Sequence, residues 1–94
     1  MDSEVELKKL AEECGELTQA CMKTSIWGVD NFNPKTEKYN GESMTEEMGD
    51  LLCHLKRTAN ALGISWDDIQ QRSFVKNDKV NKYHYGEKEA WEIQ

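Results

Sequence analysis

The stretch EECGELTQAC, Glu12 to Cys21, returns with small changes as EEMGDLLCHL, Glu46 to Leu55. In each copy two acids, one intervening residue, a glycine and a third acid break into an otherwise apolar helical pattern. The phrase is costly by itself, because glycine inside a helix loses roughly 1 kcal/mol against alanine and clustered carboxylates repel. Two copies with glycine at the same offset call for something that compensates both costs.

Around the first copy, Leu7, Leu10, Cys14, Leu17 and Cys21 recur every three or four residues, the mark of an amphipathic helix from Val5 to about Met22. For the second copy, Ser43 with Glu46 offers a capping box, Met44, Met48, Leu51, Leu55 and Leu62 make the stripe, and Gly63 is a stop. Between them, residues 24–42 hold the only proline and the aromatics Trp27, Phe32 and Tyr39. This segment is expected to be a loop, long enough to be a candidate for function. Ser65 and Asp68 form a second box that opens a third helix to about Lys82. The tail, residues 84–94, is polar apart from Trp91 and Ile93. With no strand-like alternation, the expectation is an all-α helical bundle forming one domain over residues 1–94.

The chain has 94 residues, of which 32% are charged and 37% hydrophobic, with a formal net charge of -6. A chain this short buries a limited core, so completion of the bundle by oligomerisation is expected. The acidic balance argues against a nucleic-acid partner, since phosphate-backbone affinity rests on clustered Lys and Arg. An anionic ligand would need a cation. Cys14, Cys21 and Cys53 form no CxxC pair and are expected to be reduced core thiols. The N-terminus has no signal-type apolar run and no segment has membrane-spanning length, so a soluble, cytoplasmic protein with no membrane partner is expected.

At about 100° per residue, Glu13 and Glu16 share one flank of the first stripe, and Glu47 and Asp50 share the flank of the same hand on the second. Glu12 and Glu46 fall nearly opposite the stripes. Antiparallel packing would bring four carboxylates together, an arrangement tolerable only when they are protonated, widely spaced or holding a cation. Oxygen-only ligands select hard ions such as Mg2+ or Mn2+. Gly15 and Gly49 are expected to admit a close helix backbone.

The pair EECGE, Glu12 to Glu16, and EMGD, Glu47 to Asp50, resembles the EExxE and ExxD motifs of MazG-like nucleoside triphosphate pyrophosphohydrolases, an all-α family. The similarity extends through LLCHL and through GISWDDIQQRSFVKNDKVNKY, so that it covers most of the chain from Leu7 to Tyr83. The interval from Glu16 to Glu47 is longer than the family pattern. The resemblance implies Mg2+-dependent cleavage of (d)NTPs at the α–β linkage to a monophosphate and pyrophosphate, in the service of nucleotide-pool house-cleaning, with Mn2+ as a substitute ion. It also implies Glu13, Glu16, Glu47 and Asp50 as metal ligands and catalytic residues, basic and polar contacts from Lys76, Lys79 and Asn81, and assembly as a homodimer or homotetramer.

The loop aromatics, Trp27 foremost, are expected to stack on a nucleobase, with Asn31 or Asn33 reading its edge. His54, one turn beyond Asp50, is expected to face the pocket. Two other readings stand beside this one: a non-catalytic helical interaction module, which would have no metal affinity, and a phosphoribosyl-ATP pyrophosphohydrolase, which splits the same kind of linkage.

Overall fold

The computed structural model describes residues 2–85, without the side chains of residues 84 and 85. The tail with Trp91 and Ile93, and the surface placement expected for the His84 side chain, lie outside the described residues. The chain divides into two compact units, Met1–Gly63 and Ile64–Gln94. The first contains α1 (Ser3–Trp27), a ribbon of β1 (Phe32–Asn33) with β2 (Lys38–Tyr39), and α2 (Asn40–Leu62). The second contains α3 (Trp66–Val80) and a π-helical turn, Asn81–Tyr85.

Asp2 starts α1: its carboxylate accepts from the N–H groups of Glu4 and Val5 at 3.0 and 3.3 Å, and Glu4 and Glu6 suit the positive end of the helix dipole. The helix outruns its predicted end at Met22 and stops at Gly28, whose φ of 92° closes it with an N–H bond to the Thr24 carbonyl. The ribbon is a departure from the expected plain loop. Its two antiparallel strands pair Phe32 with Tyr39 and Asn33 with Lys38, and are too short to print a period-2 pattern. The Asn33 side chain shapes its turn by accepting from the Lys35 N–H at 2.9 Å.

The ribbon feeds directly into α2, which therefore begins at Asn40, ahead of the predicted Ser43 box. The Glu42 carboxylate accepts from the Tyr39 N–H at 3.2 Å and takes over the capping role. Asn40 is buried and ties the two helices, donating from Nδ2 to the Gly28 carbonyl at 2.9 Å and from its backbone to Asn31. Close backbone approach is needed at Gly41, where a Cβ would stand 2.9 Å from Val29 Cγ2. Gly15 and Gly49, expected to serve that purpose, have nothing among the described residues within 4 Å of the position a Cβ would take. Gly63 stops α2 at φ 69°, and Ser65 caps α3 by accepting from the Asp68 N–H, both as the sequence predicts.

In the first unit α1 and α2 pack antiparallel. The residues withdrawn from solvent on α1 include Glu6, Leu10, Glu13, Leu17, Ala20 and Thr24, and those on α2 include Asn40, Met44, Glu47, Leu51, His54 and Thr58. Both series step alternately by four and three residues, the seam of two helices packed side by side. This seam shares Leu10 and Leu17 with the predicted stripe but is rotated toward the acids. Leu7, Cys14, Cys21 and Met48 are exposed as a result, and the three cysteines are free surface thiols in place of the expected core thiols. A wheel fixes relative directions on a helix but not where its neighbour lies.

Candidate metal centre and adjoining cleft

Glu13 and Glu47 occupy seam positions, so the antiparallel packing points two carboxylates at each other, and Asp50 follows Glu47 by nearly one turn. One oxygen from each of Glu13, Glu47 and Asp50 lies within 4.8 Å of the others. Glu16 stands beside this trio, within hydrogen-bonding reach of both Glu13 and Glu47. Burial pushes the Glu13 carboxyl above the usual carboxylate range; the charges of Glu16 and Asp50 add to that, and His54 opposes it. Glu47 is raised in the same way, by burial first and by the neighbouring acids next.

Two oxygens, Glu13 Oε2 and Glu47 Oε2, are buried and have no hydrogen-bond partner among the described residues. Buried carboxylate oxygens of one sign facing one another are unfavourable in a dry protein site. A divalent cation with oxygen ligands satisfies both and reverses the sign of the local field, so the donor set fits Mg2+ or Mn2+. His54 Nε2 lies 3.8 Å from Glu13 Oε1, and its Nδ1 is buried without a hydrogen-bond partner among the described residues. It sits beside Glu13 and is not among the residues lining the adjoining cleft.

That cleft, about 330 Å³, runs from Glu16 and Glu47 along α1 through Gln19 and Lys23 and is closed by Asn33 and Thr36 of the ribbon and by Asn40 and Ser43 of α2. A second hollow continues from Lys23, Asn33 and Asn40 to Trp27, Pro34 and Lys35. Gln19, Lys23 and Ser43 were not singled out by the sequence, although Lys23 stands seven residues after Glu16 and so shares its face of α1. Phe32 and Tyr39 pack edge to face at 5.3 Å across the ribbon. Glu12 is exposed, and Glu46 is exposed and hydrogen-bonded by Lys38. Lys76 and Lys79 are exposed on α3, and Asn81 opens the π-helical turn, all in the second unit.

Among the described residues no helix is long and apolar enough to cross a membrane. The family model of the MazG nucleotide pyrophosphohydrolase domain matches residues 2–84, a span that runs through both units. No curated protein and no solved structure is significantly similar to the chain.

Proposed function

Because this chain belongs to the MazG nucleotide pyrophosphohydrolase family, we propose that it cleaves nucleoside or deoxynucleoside triphosphates between the α and β phosphates, releasing a monophosphate and pyrophosphate with Mg2+ as cofactor. The observation that carries the reading is the convergence of Glu13, Glu47 and Asp50, in which Glu13 Oε2 and Glu47 Oε2 are buried with no hydrogen-bond partner among the described residues. These three residues, with Glu16 at the cleft edge, would hold Mg2+ or Mn2+. When bound, such an ion neutralises phosphate charge and lowers the pKa of coordinated water.

The remaining work falls to the chain. Glu16 and Glu47 belong to both the acid group and the cleft lining, and Glu16, the one outside the ligand trio, would orient an attacking water and accept its proton. Lys23 supplies the cleft's cation and faces the phosphates, while Gln19 and Ser43 offer hydrogen bonds to the sugar. Trp27 and Pro34 at the far end give the base a stacking surface. His54 orients Glu13 from behind the cleft. The family resemblance also implies phosphate contacts from Lys76, Lys79 and Asn81, which belong to the second unit.

The exposed side of the hairpin supports self-association. Leu17, Met48, Gly49, Leu51, Leu52 and Leu55 line an apolar groove of about 420 Å³, and Met48 and Leu52 are 57% and 46% exposed, more than a closed bundle would leave. A second copy of the chain covering this groove would complete a four-helix bundle as a homodimer or homotetramer.

The test is pyrophosphate release from a panel of canonical and modified NTPs and dNTPs, with phosphoribosyl-ATP included, each with Mg2+ and with excess EDTA. Metal-dependent formation of monophosphate and pyrophosphate from nucleotides is expected. Activity confined to phosphoribosyl-ATP would reassign the substrate, and silence across the panel without any heat of Mg2+ binding would leave a helical interaction module.

A further inference from the structure

Between the two ends of the α1–α2 seam, His54 and Glu13 make a loose ion-pair contact at 3.8 Å. The acids there repel one another, and the apolar seam positions are few and repeat at heptad spacing, so sliding by a turn or two would again oppose apolar side chains. Buried anchors stand at the ends: Asn40 at the ribbon, and Glu6, Thr58 and Ala59 at the open end.

At the open end Arg57 grips Glu6 with both arms of its guanidinium, Nη2 donating to Oε1 at 2.8 Å and Nε to Oε2 at 3.1 Å. Thr58 adds a bond from its hydroxyl to the Glu6 carbonyl at 3.2 Å. The Glu6 side chain is only 5% exposed, so its charge depends on that partner. Glu13 lies seven residues after Glu6 on α1, and Asp50 lies seven residues before Arg57 on α2. The ion pair thus stands about two turns from the carboxylate trio on both helices at once, which makes it a gauge of their register.

We propose that Glu6 and Arg57 form a positioning pair that holds α1 and α2 in the register at which Glu13 meets Glu47 and Asp50, and thereby sets the affinity of the site for its divalent ion. The inference rests on the metal-site reading above. The tolerance is narrow: oxygens bound to one Mg2+ at 2.0–2.1 Å can be no more than about 4.2 Å apart. The trio's oxygens lie within 4.8 Å, and a slip of one residue moves a helix by about 1.5 Å. A bidentate fork resists such a slip better than a single charge, because both bonds share one plane and one direction.

The experiment compares full-length wild type with Arg57→Lys, which keeps the charge and loses the fork, and with Glu6→Gln. Mn2+ binding is measured by calorimetry and by electron paramagnetic resonance of the bound ion, and the register by methyl cross-peaks between Leu17 and Leu51 without metal. Mn2+ affinity should fall about 10- to 100-fold in each variant, as for other residues that orient ligands without touching the metal, while helical circular dichroism is retained and the cross-peaks weaken. A lowered melting temperature with unchanged Mn2+ affinity would reduce the pair to a stabilising contact and overturn the proposal. Wild type that binds no Mn2+, with its cross-peaks present and those of the variants lost, would remove the metal site but sustain the register role.

Discussion

Glu6 and Glu13 are two carboxylates of one helix, seven residues apart on the same seam, and their fates are opposite. The Arg57 guanidinium holds Glu6 below the usual carboxylate range, its hydrogen bonds outweighing burial. Burial and two neighbouring acids hold Glu13 above that range, and one of its oxygens has no partner. The described residues satisfy the first anion from within and leave an oxygen of the second without a partner, where a cation is proposed to bind. That contrast separates a structural ion pair from a ligand site more sharply than acidity or burial does alone.

The strongest way to break the comparison is to remove the acids grouped with Glu13. Glu47→Gln or Asp50→Ala is expected to lower kcat/KM at least about 100-fold and to abolish Mn2+ binding, with helical circular dichroism unchanged. Turnover at the wild-type rate in either variant would place the chemistry elsewhere. Glu12→Ala, which alters an exposed acid of the same phrase, should stay within a few-fold of wild type in the same assay.

Titration sharpens it next. Glu13 and Glu47 have raised values in the folded state, so their contribution to the stability of metal-free protein is full at acidic pH and is lost as pH rises through those raised values. Glu6 has a lowered value, so its contribution is full at neutral pH and is lost as pH falls through and below the usual carboxylate range. Thermal melts with EDTA should therefore pass through a maximum in mildly acidic solution, and Mg2+ should raise the melting temperature more at neutral than at acidic pH. Equal Mg2+ effects at both pH values would contradict the assignment.

Smaller effects are expected where the cleft leaves the acids behind. Trp27→Ala should raise KM several-fold and leave kcat nearly unchanged, since stacking on a base is made equally in ground and transition states. Lys23→Met should lower kcat/KM by a larger factor than Trp27→Ala if Lys23 meets the phosphates. The smallest change is Gly63→Ala, which forces a side chain into a left-handed turn and should cost about 1 kcal/mol of stability without altering metal binding.

Much of this was legible in the residues. The doubled acidic phrase pointed to Glu13, Glu16, Glu47 and Asp50, of which the fold brings an oxygen each of Glu13, Glu47 and Asp50 within 4.8 Å, and local chemistry marked the stop at Gly63 and the cap at Ser65. The pair of Glu6 and Arg57 was not read, although its sevenfold offset from the acids is present in the chain, because two charges 51 residues apart carry no sign that they meet. The phase of α1 was misjudged because Cys14 and Cys21 rank as more apolar than Glu13 and Thr24, and apolar ranking was taken to point toward the nearest helix. In the folded hairpin that richer apolar side faces outward.

By itself the sequence determined what depends on near neighbours and periodicity: two long amphipathic helices, a third with its cap, and a repeated acidic phrase suited to a hard cation. Tertiary structure alone decided which face of each helix meets the other, that a ribbon carries Asn40 to the end of α1, and that the cleft opens toward Trp27. These are relations between residues distant in the chain, fixed by packing and by the pairing of buried charges, and no local pattern encodes them.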